Sequence, residues 1–170
     1  MDLTSQALAF DTQRVGVHIG LMWTDYMKLC GPLDANWSSY ATIGNGVSFT
    51  VGRLSFTYGL TGPCVGIDTA CSSSLVAMQL GLDHMSTREC QNALAGGANA
   101  ILVPDGTLHL SQLGALSSSG RCKTLSAFAD GYGRGEGFAT VLVGPHDDAR
   151  TTTYAQYFPF PSTTTAEQAA

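Results

Sequence analysis

Apolar and polar positions alternate between two kinds of run along this chain. Val15-Gly-Val-His-Ile-Gly-Leu-Met-Trp23 is dense in β-branched and apolar residues and predicts a buried strand. Residues 44–58 keep Val47, Val51, Leu54 and Tyr58 at helical spacing, so a helix is expected there despite its glycines. Each glycine inside a helix costs ~1 kcal/mol, and close packing against another backbone is the expected compensation. After the turn at Gly62-Pro63, Cys64-Val-Gly-Ile-Asp68 reads as a short strand. It leads into a helix whose Leu75, Met78, Leu82 and Met85 fall on one face beside Val76 and Leu80.

Residues 93–103 (ALAGGANAILV) predict another buried strand whose small side chains permit close approach, and Pro104 suits the first position of a helix. Leu110, Leu113 and Leu116 partly support that helix before Ser117-Ser-Ser-Gly120. The glycines at 131, 133, 135 and 137 form a loop entering a final strand, Phe138-Ala-Thr-Val-Leu-Val143. Strand alternating with helix predicts an α/β layer architecture with a mixed sheet. Residues 1–14 show no clear period, and residues 151–170 (TTTYAQYFPFPSTTTAEQAA) read as a disordered tail. The structured domain is therefore expected over residues 15–150.

Charged residues make up only 12% of the chain and hydrophobic ones 44%, so much of it is meant to be buried. The net charge of −5 leaves no basic patch, which argues against nucleic acid as a partner. No apolar run is long enough to span a membrane, and no basic start precedes an apolar stretch. A soluble, cytoplasmic protein is expected. The five cysteines are odd in number and lack zinc-site spacing, so reduced thiols, mostly buried as small hydrophobes, are expected outside Cys71.

Cys71 stands apart because Asp68-Thr-Ala-Cys-Ser-Ser-Ser-Leu75 places it where a strand turns directly into an apolar helix. Such a turn presents the sulfur at the end of the sheet, the usual mouth of a site in α/β proteins. Unpaired N–H groups and the positive dipole end of the helix favour a thiolate there. Ser72 to Ser74 are candidates to cap those N–H groups while leaving the sulfur free. A thiolate held in this way suits acyl transfer. Spacing alone leaves a buried structural cysteine as an alternative.

The chain from Gly44 to Gly137 resembles the ketosynthase domain of type I polyketide synthases and animal-type fatty acid synthases. The matching landmarks are Gly44-Asn45, Gly52-Arg53-Leu54-Ser55, Gly59-Leu60, Gly62-Pro63 and Asp68-Thr-Ala-Cys-Ser-Ser-Ser-Leu75. Ala95-Gly-Gly-Ala-Asn99, Gly120-Arg-Cys-Lys123 and Ala129-Asp-Gly-Tyr-Gly-Arg-Gly-Glu-Gly137 follow in order. The resemblance implies the N-terminal half of a thiolase-like fold, with Cys71 as the acyl-accepting nucleophile. It implies no cofactor or metal bound by the chain itself, and acyl thioesters on phosphopantetheine as substrates. It also implies an acyl carrier protein as partner and a homodimer of the full domain. The apolar helix would expose a large patch in a half-domain, so dependence on a partner is expected.

The same resemblance implies two catalytic histidines in His-Gly-Thr-Gly-Thr and Asn-Ile-Gly-His motifs, and neither motif occurs among these 170 residues. His18, His84, His109 and His146 stand outside such motifs. His18 is expected as a satisfied core histidine, and His84, thirteen residues beyond Cys71, lies several turns away. Arg134 and Glu136 are expected to be structural, as an ion pair in the glycine-dense turn. Leu125-Ser126 replaces the Phe-Asp usual after the Arg-Cys-Lys landmark, which puts local packing in question. The alternative to an acyl-accepting fragment is a non-catalytic thiolase-fold module that pairs with another ketosynthase chain through the strand before Cys71.

Overall fold

In the computed structural model, the described residues are 14–30, 40–145 and Ala155. The segments expected to be poorly defined (1–14, Arg14 apart) or tail-like (151–170, Ala155 apart), and His146, lie outside them. Among the described residues four strands form one sheet: β1 (Val15–Leu21), β2 (Cys64–Ile67), β3 (Asn92–Asn99) and β4 (Gly137–Val143). Their order is β2-β1-β3-β4, with β1 parallel to both β2 and β3, and β4 antiparallel to β3. The helices are α1 (Asp25–Leu29), α2 (Ala41–Asn45), α3 (Val47–Tyr58), α4 (Ser73–Ser86) and α5 (Asp105–Gln112). The expected mixed α/β sheet is therefore present.

Alternation along β1 sends its side chains to two layers. Val17 and Ile19 pack with Val51 of α3, joined by Leu21, Leu54 and Leu60. His18 and Gly20 face α4 instead, for a methyl group on Gly20 would sit 2.6 Å from the Ser73 carbonyl carbon. A methyl group on Gly81 would come within 2.9 Å of Ala93, and one on Gly97 within 3.0 Å of Ser74. Small residues on both sides thus let α4 ride close on β1 and β3.

That geometry selects the face of α4 that meets the sheet, and leaves part of its apolar stripe bare as expected of a half-domain. Ser73, Ala77 and Gly81 are the buried residues, one turn apart, whereas Leu75 is 62% exposed. Met78, Leu82 and Met85 are only half buried. Hydrophobicity pointed to the larger side chains, but only the small ones fit between helix and sheet. The bare apolar surface extends further onto β4, where Phe138, Val141 and Leu142 are all exposed.

The expected helix over 44–58 is broken at Gly46, whose extended backbone separates α2 from α3. Val47, Val51 and Leu54 point inward as their spacing requires, but Tyr58 is exposed. The expected packing against Gly44 and Gly52 is absent, since nothing lies within 4 Å of a methyl group placed on either. α3 ends where Gly59 enters the left-handed region at φ +64, and Leu60 N–H bonds the Ser55 carbonyl. β3 stops at Asn99, short of the expected Val103, and Pro104 caps α5 from just outside.

The cysteines also differ from expectation. Cys90 alone is buried; Cys30, Cys64 and Cys122 are exposed, and all are free. Cys64 lies on an outer strand, while Cys30 and Cys122 lie where a helix ends and in a loop. Leu125, in place of the usual phenylalanine, is fully exposed with φ +63, so the chain turns there without packing.

Two glycines test this layering in opposite directions. Gly20→Ala should destabilise the chain by about 1–3 kcal/mol, because the methyl group meets the backbone of α4. Gly52→Ala should stabilise it by about 0.5–1 kcal/mol, because it improves helix propensity in open space. Denaturant midpoints of the two variants read both effects.

Candidate active site around Cys71

β2 ends at Ile67, and by Ser73 the chain is already helical. The reversal is held by its own side chains. Asp68 Oδ1 accepts the Ala70 N–H at 3.0 Å. Ser73 Oγ accepts the Thr69 N–H at 2.9 Å and donates to the Ala70 carbonyl at 2.6 Å. Ser72 Oγ donates to the Thr69 carbonyl at 2.8 Å. Ala70 itself is forced to φ +58, an uncommon conformation for a residue with a Cβ.

The expected serine caps are therefore not formed. Ser72 is the N-cap of α4, but it makes no side-chain capping bond. The hydroxyls of Ser72 and Ser73 reach back into the turn instead of forward to the helix, because the tight reversal leaves its own backbone groups to be satisfied first. Cys71 is left exposed at the junction, one residue before the N-cap.

Cys71 lines an open cleft of about 740 Å³. Its floor is the small-residue surface of the sheet, including Gly20, Gly97 and Ala139. Met22, Trp23, Leu75, Met78, Leu110, Phe138 and Val141 supply a mostly apolar wall. The glycine-dense loop closes the other side through Tyr132, Gly133, Arg134 and Gly135. The size is that of a small-molecule site.

Three segments meet at this end of the sheet and are tied together by polar contacts. Asp25, buried, accepts the Leu102 N–H through Oδ2 at 3.2 Å, and Lys28 pairs with Asp105 at 3.3 Å. Glu136 accepts the Ile101 N–H at 2.6 Å, and Asn99 Nδ2 donates to the Gly135 carbonyl at 2.7 Å. Arg134 donates to Thr107 Oγ1 at 2.7 Å and stacks over Trp23 at 5.6 Å from the ring centroid. Arg134 and Glu136 are structural, as expected, but each holds a different neighbour and they form no ion pair with each other. Further round the loop, Lys123 and Ser117 both bond Asp130 Oδ1 at 2.7 Å and hold its carboxyl below the usual range.

No described histidine lines the cleft. His18 is completely buried and shares a hydrogen bond of 2.8 Å between its Nε2 and His84 Nδ1. Its own Nδ1 is buried without a partner. A bare lone pair tolerates that better than an N–H, which assigns the Nε2–H of His18 as donor to His84. The expected core histidine is thus satisfied on one side only. His109 is exposed on α5. Among the described residues, no group of His, Cys, Asp or Glu could hold a metal ion, and no helix is long and apolar enough to cross a membrane.

Comparison with known proteins decides the lineage of this chain. Residues 2–149 match the family described as Beta-ketoacyl synthase, N-terminal domain. The chain belongs to that family. A phenolphthiocerol/phthiocerol polyketide synthase protein of Mycobacterium tuberculosis is 46% identical over 138 residues, covering 80% of this chain but 6% of that protein. The spectinabilin polyketide synthase system protein NorC of Streptomyces orinoci is 40% identical over 137 residues, covering 81% and 6%. Among solved structures, the ketosynthase from module 6 of the bacillaene synthase of Bacillus subtilis superposes with TM-score 0.69 at 30% identity. That match covers 78% of this chain and 22% of the ketosynthase. The oxazolomycin ketosynthase domain of Streptomyces albus gives 0.68 at 33% identity, covering 78% and 23%. The β-ketoacyl synthase fold, thiolase-like as expected, is therefore shared, and the chain spans under a quarter of the ketosynthase structures it matches.

Reading the sequence found Cys71 and the glycine loop but missed the wall formed by Met22, Trp23 and Leu110. The Met22-Trp23 pair directly after a buried strand was the available signal, since large apolar residues at a strand's carboxyl end line sites in α/β sheets.

Ser73→Ala removes both bonds that brace the turn and should cost about 1–3 kcal/mol in a denaturant titration. The histidine pair gives a pH effect. Burial and then His84 lower His18 from 6.5 to about 4. Unfolding therefore takes up a proton between those values, so this contribution is full above about pH 6.5 and is lost as pH falls towards 4. The urea midpoint should drop across that window, and more steeply than in a His18→Phe chain.

Proposed function

We propose that this chain is the nucleophile-bearing part of a polyketide synthase ketosynthase, and that Cys71 accepts an acyl group from a phosphopantetheine thioester on an acyl carrier protein. The observation that supports the reading best is an exposed cysteine at a braced strand-to-helix turn, opening into an apolar cleft. The Cys71 sulfur adds to the thioester carbonyl, the bond from that carbon to the pantetheine sulfur breaks, and the departing thiol carries the proton lost by Cys71. As the sulfur attacks, negative charge moves onto the thioester carbonyl oxygen, and the N-terminal end of α4 next to Cys71 favours negative charge in its vicinity. The apolar wall offers the acyl chain a surface to pack against.

Carbon–carbon bond formation requires more. A malonyl-type unit loses its carboxylate as carbon dioxide, and the resulting carbanion attacks the acyl-Cys71 carbonyl, returning the sulfur. The residues lining the cleft include no histidine to polarise the malonyl thioester. Condensation therefore needs groups beyond those that line this cleft, as the C-terminal half of the family's domain would supply, and the bare apolar residues of α4 and β4 support a further layer covering them. Among the described residues β2 is an outer strand of the sheet, and its edge supports dimerisation through that strand.

The reading is tested with the acyl-loaded carrier protein. The chain should gain one acyl group, Cys71→Ala should gain none, and no β-ketoacyl product should appear when malonyl-carrier protein is added. Acyl transfer to Cys71→Ala at the native rate would sink the assignment.

A further inference from the structure

Trp23 stands between two hollows. On one side is the cleft of about 740 Å³ that holds Cys71, and on the other a hollow of about 200 Å³ reaching towards Leu21 and Val47. Trp23 lines both. The indole is half buried, and Arg134 lies over its ring at 5.6 Å from the centroid. Arg134 is in turn fixed by its bond to Thr107 Oγ1 at 2.7 Å. Helix α5 carries glycine at 106 where that guanidinium passes, since a methyl group there would come within 3.2 Å of Arg134 Nη1. The chain after β1, helix α5 and the loop before β4 thus cooperate to hold one aromatic wall in place.

We propose that Trp23 is the stop that limits how long an acyl chain Cys71 accepts, with Arg134 as the positioning residue that holds the stop shut. The proposal rests on Cys71 as acyl acceptor and adds what sets the specificity of that site. The space behind the indole is a hollow of about 200 Å³ and not packed protein, so shortening Trp23 lengthens the cleft instead of merely leaving a sealed void. Apolar pockets discriminate by methylene count, typically ~10-fold or more per group.

The test uses the full chain with butanoyl, octanoyl and dodecanoyl N-acetylcysteamine thioesters. Acylation of Cys71 is followed by mass spectrometry and normalised to its alkylation by iodoacetamide. Trp23→Ala should raise the dodecanoyl-to-butanoyl ratio at least about 10-fold. Arg134→Lys keeps the charge but loses the planar fork, and should shift the ratio in the same direction by a smaller factor. Trp23→Phe, which retains a ring and the fold, should fall between native and Trp23→Ala. An unchanged ratio in all three variants, with Cys71 still acylated, overturns the proposal while leaving the acyl-acceptor reading intact. Failure of every thioester to acylate the native chain removes that reading, and the proposal with it.

Discussion

The structure depends on how closely helix α4 approaches the sheet. Ser73, Ala77 and Gly81 form the buried edge of that helix, and Gly20, Ala93 and Gly97 receive it. A single added methyl group at Gly20 or Gly81 enters the van der Waals envelope of the other layer. This close approach fixes the height of the first turn of α4 above the ends of β1 and β3, and so the position of Cys71. The hydroxyl of Ser73 belongs to both systems, because it lies at the helix–sheet contact and also braces the turn that carries the cysteine. Packing and chemistry are therefore joined at one residue.

The same constraint shapes everything around the site. A helix that buries only its small residues turns its large ones elsewhere, and Leu75 and Met78 become the wall of the cleft. On β4, Val141 and Phe138 stay exposed among the described residues and complete the wall from the sheet side. On the far side of α4's contact, His18 occupies the space that small residues leave beside β1, and its bond to His84 ties strand to helix. The polar contacts of Asp25, Asn99, Arg134 and Glu136 then hold the segments at the cleft mouth.

Much of this was legible in the sequence, for identifiable reasons. Runs such as Val15–Leu21 and Phe138–Val143 announce strands because little else packs β-branched residues so densely. The Asp68–Leu75 string singled out the candidate site because its residue types and order match one family's turn. The misread features share a physical origin. The buried face of α4 was invisible to hydrophobicity, since steric fit and not apolarity selects Ser73, Ala77 and Gly81. The ion pair expected between Arg134 and Glu136 failed because each side chain reaches a neighbour more than twenty residues away in sequence, at Thr107 and Ile101. The exposed cysteines followed from edge and loop positions that composition does not reveal.

The central claim is that the turn around Cys71 makes this thiol chemically distinct from its neighbours. Cys30, Cys64, Cys71 and Cys122 are all exposed, so the other three serve as internal controls for simple accessibility. Limiting acyl-thioester, followed by peptide mapping, measures how the label divides among the four. The account predicts acylation concentrated on Cys71, with the remaining sites labelled only slowly. Equal labelling of all four, or preferential labelling of Cys64 at the open edge of the sheet, would contradict it.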